Sequence, residues 1–337
     1  MTVTVSAATA AGSIVDVPGI EVGHAQDAAA LTGCTVVLCR RGAVAGVDVR
    51  GSAPGTRETD LLNPVNLVQR VHAIMLAGGS AFGLDAASGA MRYLDERKVG
   101  FRAGPVKVPI VPAAIIFDLN LGGGRVRPDA DMGFAACTAA SRSRFPEGNV
   151  GAGSGASVGK LMGGALSMKS GLGTASARIG GIVVGALVVV NSFGDVIDPA
   201  NGAIVAGLRS GRVGPVRVGG EAYFADTLAT MKTAVGRGVL SLAARTNTGI
   251  GVVATDAGLT KTEATKVAQM AQDGLARAVR PAHTMWDGDT LFALSTGRKR
   301  ADVSLIGAVA AEVVARAILR AVRSAASAGG LPGLYQA

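Results

Sequence analysis

The stretch Arg245-Thr246-Asn247-Thr248-Gly249-Ile250-Gly251-Val252-Val253 decides the reading of this chain. An Asn-Thr peptide bond stands directly before an apolar run, deep in the last third of 337 residues. A short apolar run bounded by turn residues is the pattern of a buried strand. If the Asn247–Thr248 bond breaks, that strand begins with a residue carrying both a hydroxyl and a free α-amine. An α-amine titrates at about 7.7–8.0, so near neutral pH it can accept the hydroxyl proton and turn threonine into a nucleophile. The dipeptide alone is common, and β propensity by itself would put a threonine at a strand start. Its setting decides the matter.

Three further segments carry candidate chemistry. Gly151-Ala152-Gly153-Ser154-Gly155-Ala156-Ser157-Val158-Gly159-Lys160 ends a glycine-rich loop with a lysine, and Ala186-Leu187-Val188-Val189-Val190-Asn191 ends an apolar run with a lone amide. His283-Thr284-Met285-Trp286-Asp287-Gly288-Asp289-Thr290-Leu291-Phe292 puts two carboxylates two residues apart before another apolar run. In an extended segment such residues share a face. They then repel unless a positive group lies between them, which the Thr248 amine or Lys160 could supply. Each feature also has an ordinary reading. Asp-Gly-Asp suits a hairpin turn, Asn191 with Ser192 and Gly194 suits a turn, and lysine usually ends a loop in solvent.

Together with Val17-Pro18-Gly19-Ile20-Glu21-Val22-Gly23-His24, Ala53-Pro54-Gly55-Thr56-Arg57-Glu58-Thr59-Asp60 and Leu76-Ala77-Gly78-Gly79-Ser80-Ala81-Phe82-Gly83, these segments occur in an order that resembles the L-aminopeptidase/D-esterase family of self-cleaving hydrolases. Its relatives include the β-aminopeptidases and the nylon-oligomer amidase. The resemblance implies an α+β fold, a four-layer α/β/β/α sandwich of the N-terminal-nucleophile type, with Thr248 opening a central strand. It implies one hydrolase domain over 1–337 that cuts itself between Asn247 and Thr248 into 1–247 and 248–337. Thr248 would attack its own preceding carbonyl and later, with its α-amine as base, the amide of a small peptide, amino-acid amide or ester. Asn191 would donate to the developing oxyanion, Lys160 would lie near the nucleophile and help keep the α-amine neutral, and Asp287 and Asp289 would form a polar relay to Thr248. Phe117, in Phe117-Asp118-Leu119-Asn120, would wall the substrate cleft. No metal or organic cofactor is implied. The implied assembly is a homo-oligomer, a tetramer or larger, of processed heterodimers. The aminopeptidase members carry serine and glutamate where this chain has Asp287 and Asp289. The Asp/Asp pair and the threonine look more like the nylon-oligomer amidase, which puts strict aminopeptidase specificity in doubt. Two rivals remain: an acyltransferase of the ornithine-acetyltransferase type, similar in fold and also self-cleaving before a threonine, and a scaffold that never processes.

Composition bounds the alternatives. With 49% hydrophobic and 17% charged residues the chain can fill a large core and is not disordered in bulk. Its 49 glycines and 4% aromatics imply tight turns and close layer packing. The net charge of +9 invites a nucleic-acid partner. However, the arginines are scattered apart from Arg298-Lys299-Arg300, read as a loop, and no aromatics interleave with them. Cys34, Cys39 and Cys137 form no metal pattern and read as buried thiols in a reducing cytosol. The start, Met1-Thr2-Val3-Thr4-Val5-Ser6, lacks a basic-then-apolar leader. The most apolar stretch, Ile179 to Val190, is too short to span a bilayer. A soluble cytoplasmic protein with no nucleic-acid or membrane partner follows as the expectation.

Along the chain, residues 1 to about 15 read as disordered. Strands are expected at Thr35–Leu38, Ala73–Leu76, Ile182–Val190, Ile250–Ala254 and Leu291–Leu294. A helix should run from Ser80 to about Asp95, with Leu84, Ala87, Met91 and Leu94 on one face. Thr260-Lys261-Thr262-Glu263 is a capping box opening a helix to Arg280, stopped by Pro281. A last helix, about Val303 to Ser324, sets Glu312, Arg316, Arg320 and Arg323 opposite Leu305, Ile306, Val309 and Val313. The glycine- and charge-rich span 201–237 reads as a mobile loop or an ordinary surface excursion. Other motifs fail. The glycine-rich loop lacks the strand and acid of a dinucleotide site, Phe82 blocks a nucleophile elbow, and His24, His72 and His283 are dispersed and read as local structure.

Overall fold

The computed structural model describes residues 12–240 and 247–336. Nine strands make one sheet: β1 Glu21–Asp27, β2 Thr32–Val49, β3 Thr56–Arg57, β4 Arg70–Ala77, β5 Ala113–Ile115, β6 Leu172–Ile179, β7 Ile182–Asn191, β8 Thr248–Ala257 and β9 Thr290–Lys299. Their order is β6-β7-β8-β9-β2-β4-β5-β3, with β1 on β2. Only β8 with β9 and β4 with β5 run parallel. The four longer helices are α1 Ala86–Glu96, α2 Ala130–Thr138, α3 Lys261–Ala278 and α4 Val303–Arg323.

The long strand β2 turns this one sheet into two layers. Its first part, through Leu38, pairs with β1 and β4, and its last part, from Val44, pairs with β9. A register shift between Leu38 and Ala43 separates the parts, and such an irregularity bends a strand and increases its twist. The sheet therefore doubles over on itself. Val37, Ile74, Leu76 and Ala114 from one half meet Leu187, Val189, Ile250, Val252 and Phe292 from the other in a buried cluster. Helices α1 and α2 cover the outside of one half through Ala87, Leu94 and Ala136 against Val36 and Met75. Helices α3 and α4 cover the other through Val267, Leu275, Val313 and Ile318 against Val188 and Val253. The result is the α/β/β/α sandwich. All ten residues of β7 and of β8 are buried, because one side chain faces the second sheet and the next faces the helices. Continuous apolar runs, with no polar alternation, are the sequence trace of strands covered on both faces.

Small residues let the layers close. A Cβ at Gly274 would collide with the Ala311 carbonyl where α3 crosses α4, and a Cβ at Gly46 would collide with the backbone of Thr265 where α3 lies on β2.

All five expected strands lie inside observed ones. The Thr260/Glu263 capping box is formed. Helix α3 ends at Ala278, before Arg280, because Val279 and Arg280 turn extended and pair with Asp195 and Val196. This fits the bias of a residue preceding proline against α geometry. The Ser80 helix starts as a tighter 3₁₀ segment, Ser80–Asp85, before α1. In α4, Leu305 stands 45% exposed outside the apolar face. Arg298 and Lys299 belong to β9 and not to a loop. The expected disorder of 1 to about 15 concerns residues outside those described, except at its end, where Ser13 and Ile14 are buried. Residues 201–237 are folded. They form the hairpin Gly211–Val213/Val216–Val218 and a short helix, Thr227–Met231, tied down by the buried Asp195 carboxylate on the Leu208 and Thr227 amides. The three cysteines are buried and free, and burial pushes the Cys39 and Cys137 thiols up to about 12. Among the described residues no helix is long and apolar enough to cross a membrane.

Candidate active site

Three strand ends meet at one edge of the sandwich. β7 finishes at Asn191 and β8 begins at Thr248; in their antiparallel ladder these two residues stand opposite each other. β9 begins alongside, with Thr290 paired to Ile250, so the lead-in Asp287-Gly288-Asp289 runs beside Asn247-Thr248-Gly249. Asn247 and Asp287 form a bridge. The Gly288 amide donates to the Asn247 carbonyl at 2.9 Å, and the Thr248 hydroxyl donates to the same oxygen. The carbonyl that precedes the candidate nucleophile thus carries two donors. Thr248 is buried, at 3% exposure. Neither polar atom of the Asn247 side chain, also buried, has a hydrogen-bond partner among the described residues. Arg245 and Thr246 lie outside those residues.

The two carboxylates grip the backbone around this peptide. Asp289 accepts the Gly249 amide at 2.6 Å on one oxygen, and the His283 amide and Nδ1 at 3.0 and 2.8 Å on the other. Asp287 accepts the Phe193 amide at 3.2 Å and both the amide and hydroxyl of Thr284 at 3.0 and 2.5 Å. Each carboxylate therefore lies beside a different strand end: Asp289 one residue past Thr248, Asp287 two past Asn191.

Lys160 reaches Asn191 from the glycine-rich loop. Its Nζ donates to the Asn191 carbonyl at 3.0 Å and to Oδ1 at 2.5 Å. Oδ1 also accepts the Ser157 amide at 3.1 Å, while Nδ2 donates to the Phe117 carbonyl at 3.0 Å. The Asn191 side chain is thus locked from both ends, with its orientation fixed by the loop and by Phe117. The left-handed turn at Gly159 (φ +72°), where a side chain would also strike Gly207 and Leu208, lets the chain turn into Lys160.

Burial sets the electrostatics. It pulls the Lys160 amine down to about 7, against the opposing attraction of Asp287 and Asp118. It pushes Asp287 up to about 6, helped by repulsion from Asp289. Two groups of opposite type therefore exchange protons near neutral pH, and titratable pairs shifted in this way cluster at functional sites. At neutral pH Lys160 carries only part of a positive charge, less than the full charge read for it in the sequence. Asp118, buried and bonded to the Thr32 hydroxyl and Gly79 amide, is shifted up by burial.

A cavity of about 410 Å³ opens beside Lys160, walled by Phe117, Leu161, Met162, Val213 and Val239, with Asp118 and Ser157 among its polar lining. Phe117 thus lines the same cavity as Lys160. The structure brings together all five catalytic candidates: Thr248, Asn191, Lys160, Asp287 and Asp289. Several partners escaped the sequence reading. His283, read as local structure, does bond locally to Asp289, and through it joins this cluster; its nearness in sequence to Asp289 was the available signal. The Gly288 amide and the Phe193–Trp286 ring contact, 5.2 Å between centroids, gave none. Nor did Lys169, wholly buried beneath the glycine-rich loop.

Residues 12–335 match peptidase family S58. An uncharacterised aminopeptidase of Mycobacterium tuberculosis is 44% identical over 349 aligned positions, spanning 95% of this chain and 96% of that protein. A 6-aminohexanoate-oligomer endohydrolase of Kocuria sp. is 34% identical, spanning 91% of this chain and 85% of its own length. Among solved structures, the L-aminopeptidase D-Ala-esterase/amidase of Ochrobactrum anthropi, described as a variant of the Ntn hydrolase fold, superposes with a TM-score of 0.69 at 19% identity over 97% of this chain and 91% of that one. A Burkholderia sp. β-aminopeptidase gives 0.67 at 23% identity, over 98% and 93%. At those identities the structures establish the shared fold. The chain belongs to peptidase family S58 and is a hydrolase of the aminopeptidase and amidase class.

Proposed function

We propose that the chain is a self-processing amide hydrolase whose nucleophile is Thr248. The observation that carries this reading is the carbonyl of Asn247, which receives the Thr248 hydroxyl on one side and the Gly288 amide at 2.9 Å on the other. A donor aimed at a carbonyl oxygen stabilises the negative charge that develops there during attack. Thr248 Oγ1 adds to the Asn247 carbonyl carbon, and its proton passes to a neighbouring base. The C–N bond then breaks, leaving Asn247 as an ester on Oγ1 and the Thr248 nitrogen as a free amine. Water hydrolyses the ester to release the Asn247 carboxylate. The fragments 1–247 and 248–337 stay together, because β8 and β9 share the core with β7 and β2. In the mature enzyme the Thr248 α-amine takes the hydroxyl proton during attack on substrate and returns it to the leaving amine. Lys160 and Asp287, with proton affinities near 7 and 6, are the groups suited to serve as base before that amine exists.

The substrate is a short peptide, amino-acid amide or related ester. Its acyl part faces the apolar walls of the cavity beside Lys160, Phe117 and Met162 among them. The relatives named for 6-aminohexanoate oligomers add ω-amino amides to the panel worth assaying. Intact mass and a denaturing gel test the reading directly. Two fragments separated at Asn247/Thr248, absent in Thr248→Ala, support it; a single full-length chain in both proteins overturns it.

A further inference from the structure

Lys169 is a lysine with 0% exposure, and its Nζ makes no ion pair among the described residues. Instead it donates to three carbonyls: Gly153 at 3.2 Å, Ala156 at 2.9 Å and Ser170 at 2.6 Å. Three bonds exhaust the donors of an ammonium. Burying such a group without a carboxylate beside it is costly, and an apolar residue would fill the space at less cost.

What those carbonyls belong to supplies a reason. Gly153 and Ala156 flank the turn that leads into Ser157, and Ser157 stands opposite Lys169 in a two-residue antiparallel ladder. The Ser157 amide holds Asn191 Oδ1, and Lys160, three residues on, holds the same oxygen. The loop carrying both contacts is thus fixed from beneath by one side chain. We propose that Lys169 is a positioning residue of the hydrolytic site, anchoring the 153–157 backbone so that Ser157 and Lys160 meet Asn191; this rests on the functional reading above. The charged groups that face this pair are Asp118, which attracts both lysines, and Asp287, which attracts Lys160. Burial draws Lys169 itself down to about 7. Its ammonium repels that of Lys160 and so favours the neutral form of Lys160.

The test uses Lys169→Met, which removes both bonds and charge, and Lys169→Gln, which keeps two donors without charge. The Lys160 titration midpoint is read by NMR in chains that also carry Thr248→Ala, so the readout is independent of cleavage. Turnover and melting temperature are read in the otherwise native chain. Both variants should raise the proton affinity of Lys160 by about threefold or more. Lys169→Met should lower kcat at least about tenfold, with Lys169→Gln falling between it and the parent. An unchanged Lys160 midpoint in both variants, or a Lys169→Met defect confined to melting temperature, overturns the proposal. Failure of the parent chain to cleave or hydrolyse would instead count against the functional reading, while the midpoint shift still judges Lys169.

Discussion

The strands β7, β8 and β9 are polar at both ends, and the two ends are built on opposite principles. At the far end, Asp256 is buried, accepts the Val183 amide at 2.8 Å and pairs with Lys299 at 2.5 Å, whose side chain is half in solvent. Thr255 donates to the Val183 carbonyl and accepts the Ala257 amide. Each group there has its partner, and the cation opens to water. At the near end, Lys160 and Asp287 are drawn towards each other's proton affinity, and among the described residues the Asn247 side chain lacks hydrogen-bond partners and the Lys169 ammonium is held by carbonyls with no carboxylate in contact. A buried polar cluster that is complete holds strands together. One that is costly and incomplete marks the place where stability has been exchanged for chemistry.

The sharpest way to break this contrast is to mutate a threonine at each end. Thr248→Ala should abolish self-cleavage and reduce amide hydrolysis by at least about ten-thousandfold, as loss of a nucleophile does. Thr255→Ala, which loses both hydroxyl bonds, to the Val183 carbonyl and from the Ala257 amide, should cleave at the parental rate and melt lower, for a cost of about 2 kcal/mol. Comparable cleavage defects in the two would erase the distinction between the ends. Next in size is Asn191→Ala. Asn191 lies opposite Thr248 with both ends of its amide engaged, and its removal should slow turnover by about 3 kcal/mol, roughly a hundredfold. A loss visible only in melting temperature would reduce Asn191 to a strand terminus.

How much of this contrast could be read beforehand depends on how local its signals are. Ile182–Val190, Ile250–Ala254 and Leu291–Leu294 announced themselves because strands buried on both faces need unbroken apolar runs. The Thr260/Glu263 capping box was legible within four residues. Thr248, Asn191, Lys160, Asp287 and Asp289 each stand at the edge of such a run or loop, and it was the resemblance in their order that gave them meaning. That one continuous sheet, bent at β2, forms both of the expected β layers was not visible. It depends on a register shift in β2 that only pairing with β4 defines. Nor was Lys169, since Met168-Lys169-Ser170 carries no periodicity and its three carbonyl partners are glycine-loop backbone. Chemistry performed by backbone atoms, such as the Gly288 amide, leaves no side-chain trace.

The pH dependence sharpens the contrast further. If Lys160 must be neutral to accept the Thr248 proton, the self-cleavage rate should climb about tenfold per pH unit below about 7 and level off above it. Asp287, ionising near 6, would steepen the acid limb. Purified precursor, followed by gel after a pH jump from acid, gives the profile. A rate independent of pH between 5 and 8 would remove both groups from the role of base.

The smallest effect bears on stability and separates the two buried aspartates by sign. Asp287 has a folded-state affinity near 6, above the ordinary carboxylate value of 3.8. Between those values the folded chain holds more protons than the unfolded one, so the group's contribution to stability falls as pH rises through that window. Above about 6 the cost of the buried charge is present in full. Asp287→Asn removes it. The shift corresponds to about 3 kcal/mol, less about 2 for the amide that then confronts the Thr284 N–H donor. A net gain of about 1 kcal/mol at pH 8 follows, turning into a loss of between about 1 and 2 kcal/mol near pH 4, where the charge cost is gone and the amide penalty stays, in a protein that turns over poorly. Asp256→Asn should do the reverse. It weakens the contact with half-exposed Lys299, lowers stability by about 1 kcal/mol or less at pH 8, and leaves turnover intact. Denaturant melts of both variants at pH 4 and pH 8 decide the matter. Losses in both variants at pH 8 would mean that Asp287, like Asp256, is there to hold strands together.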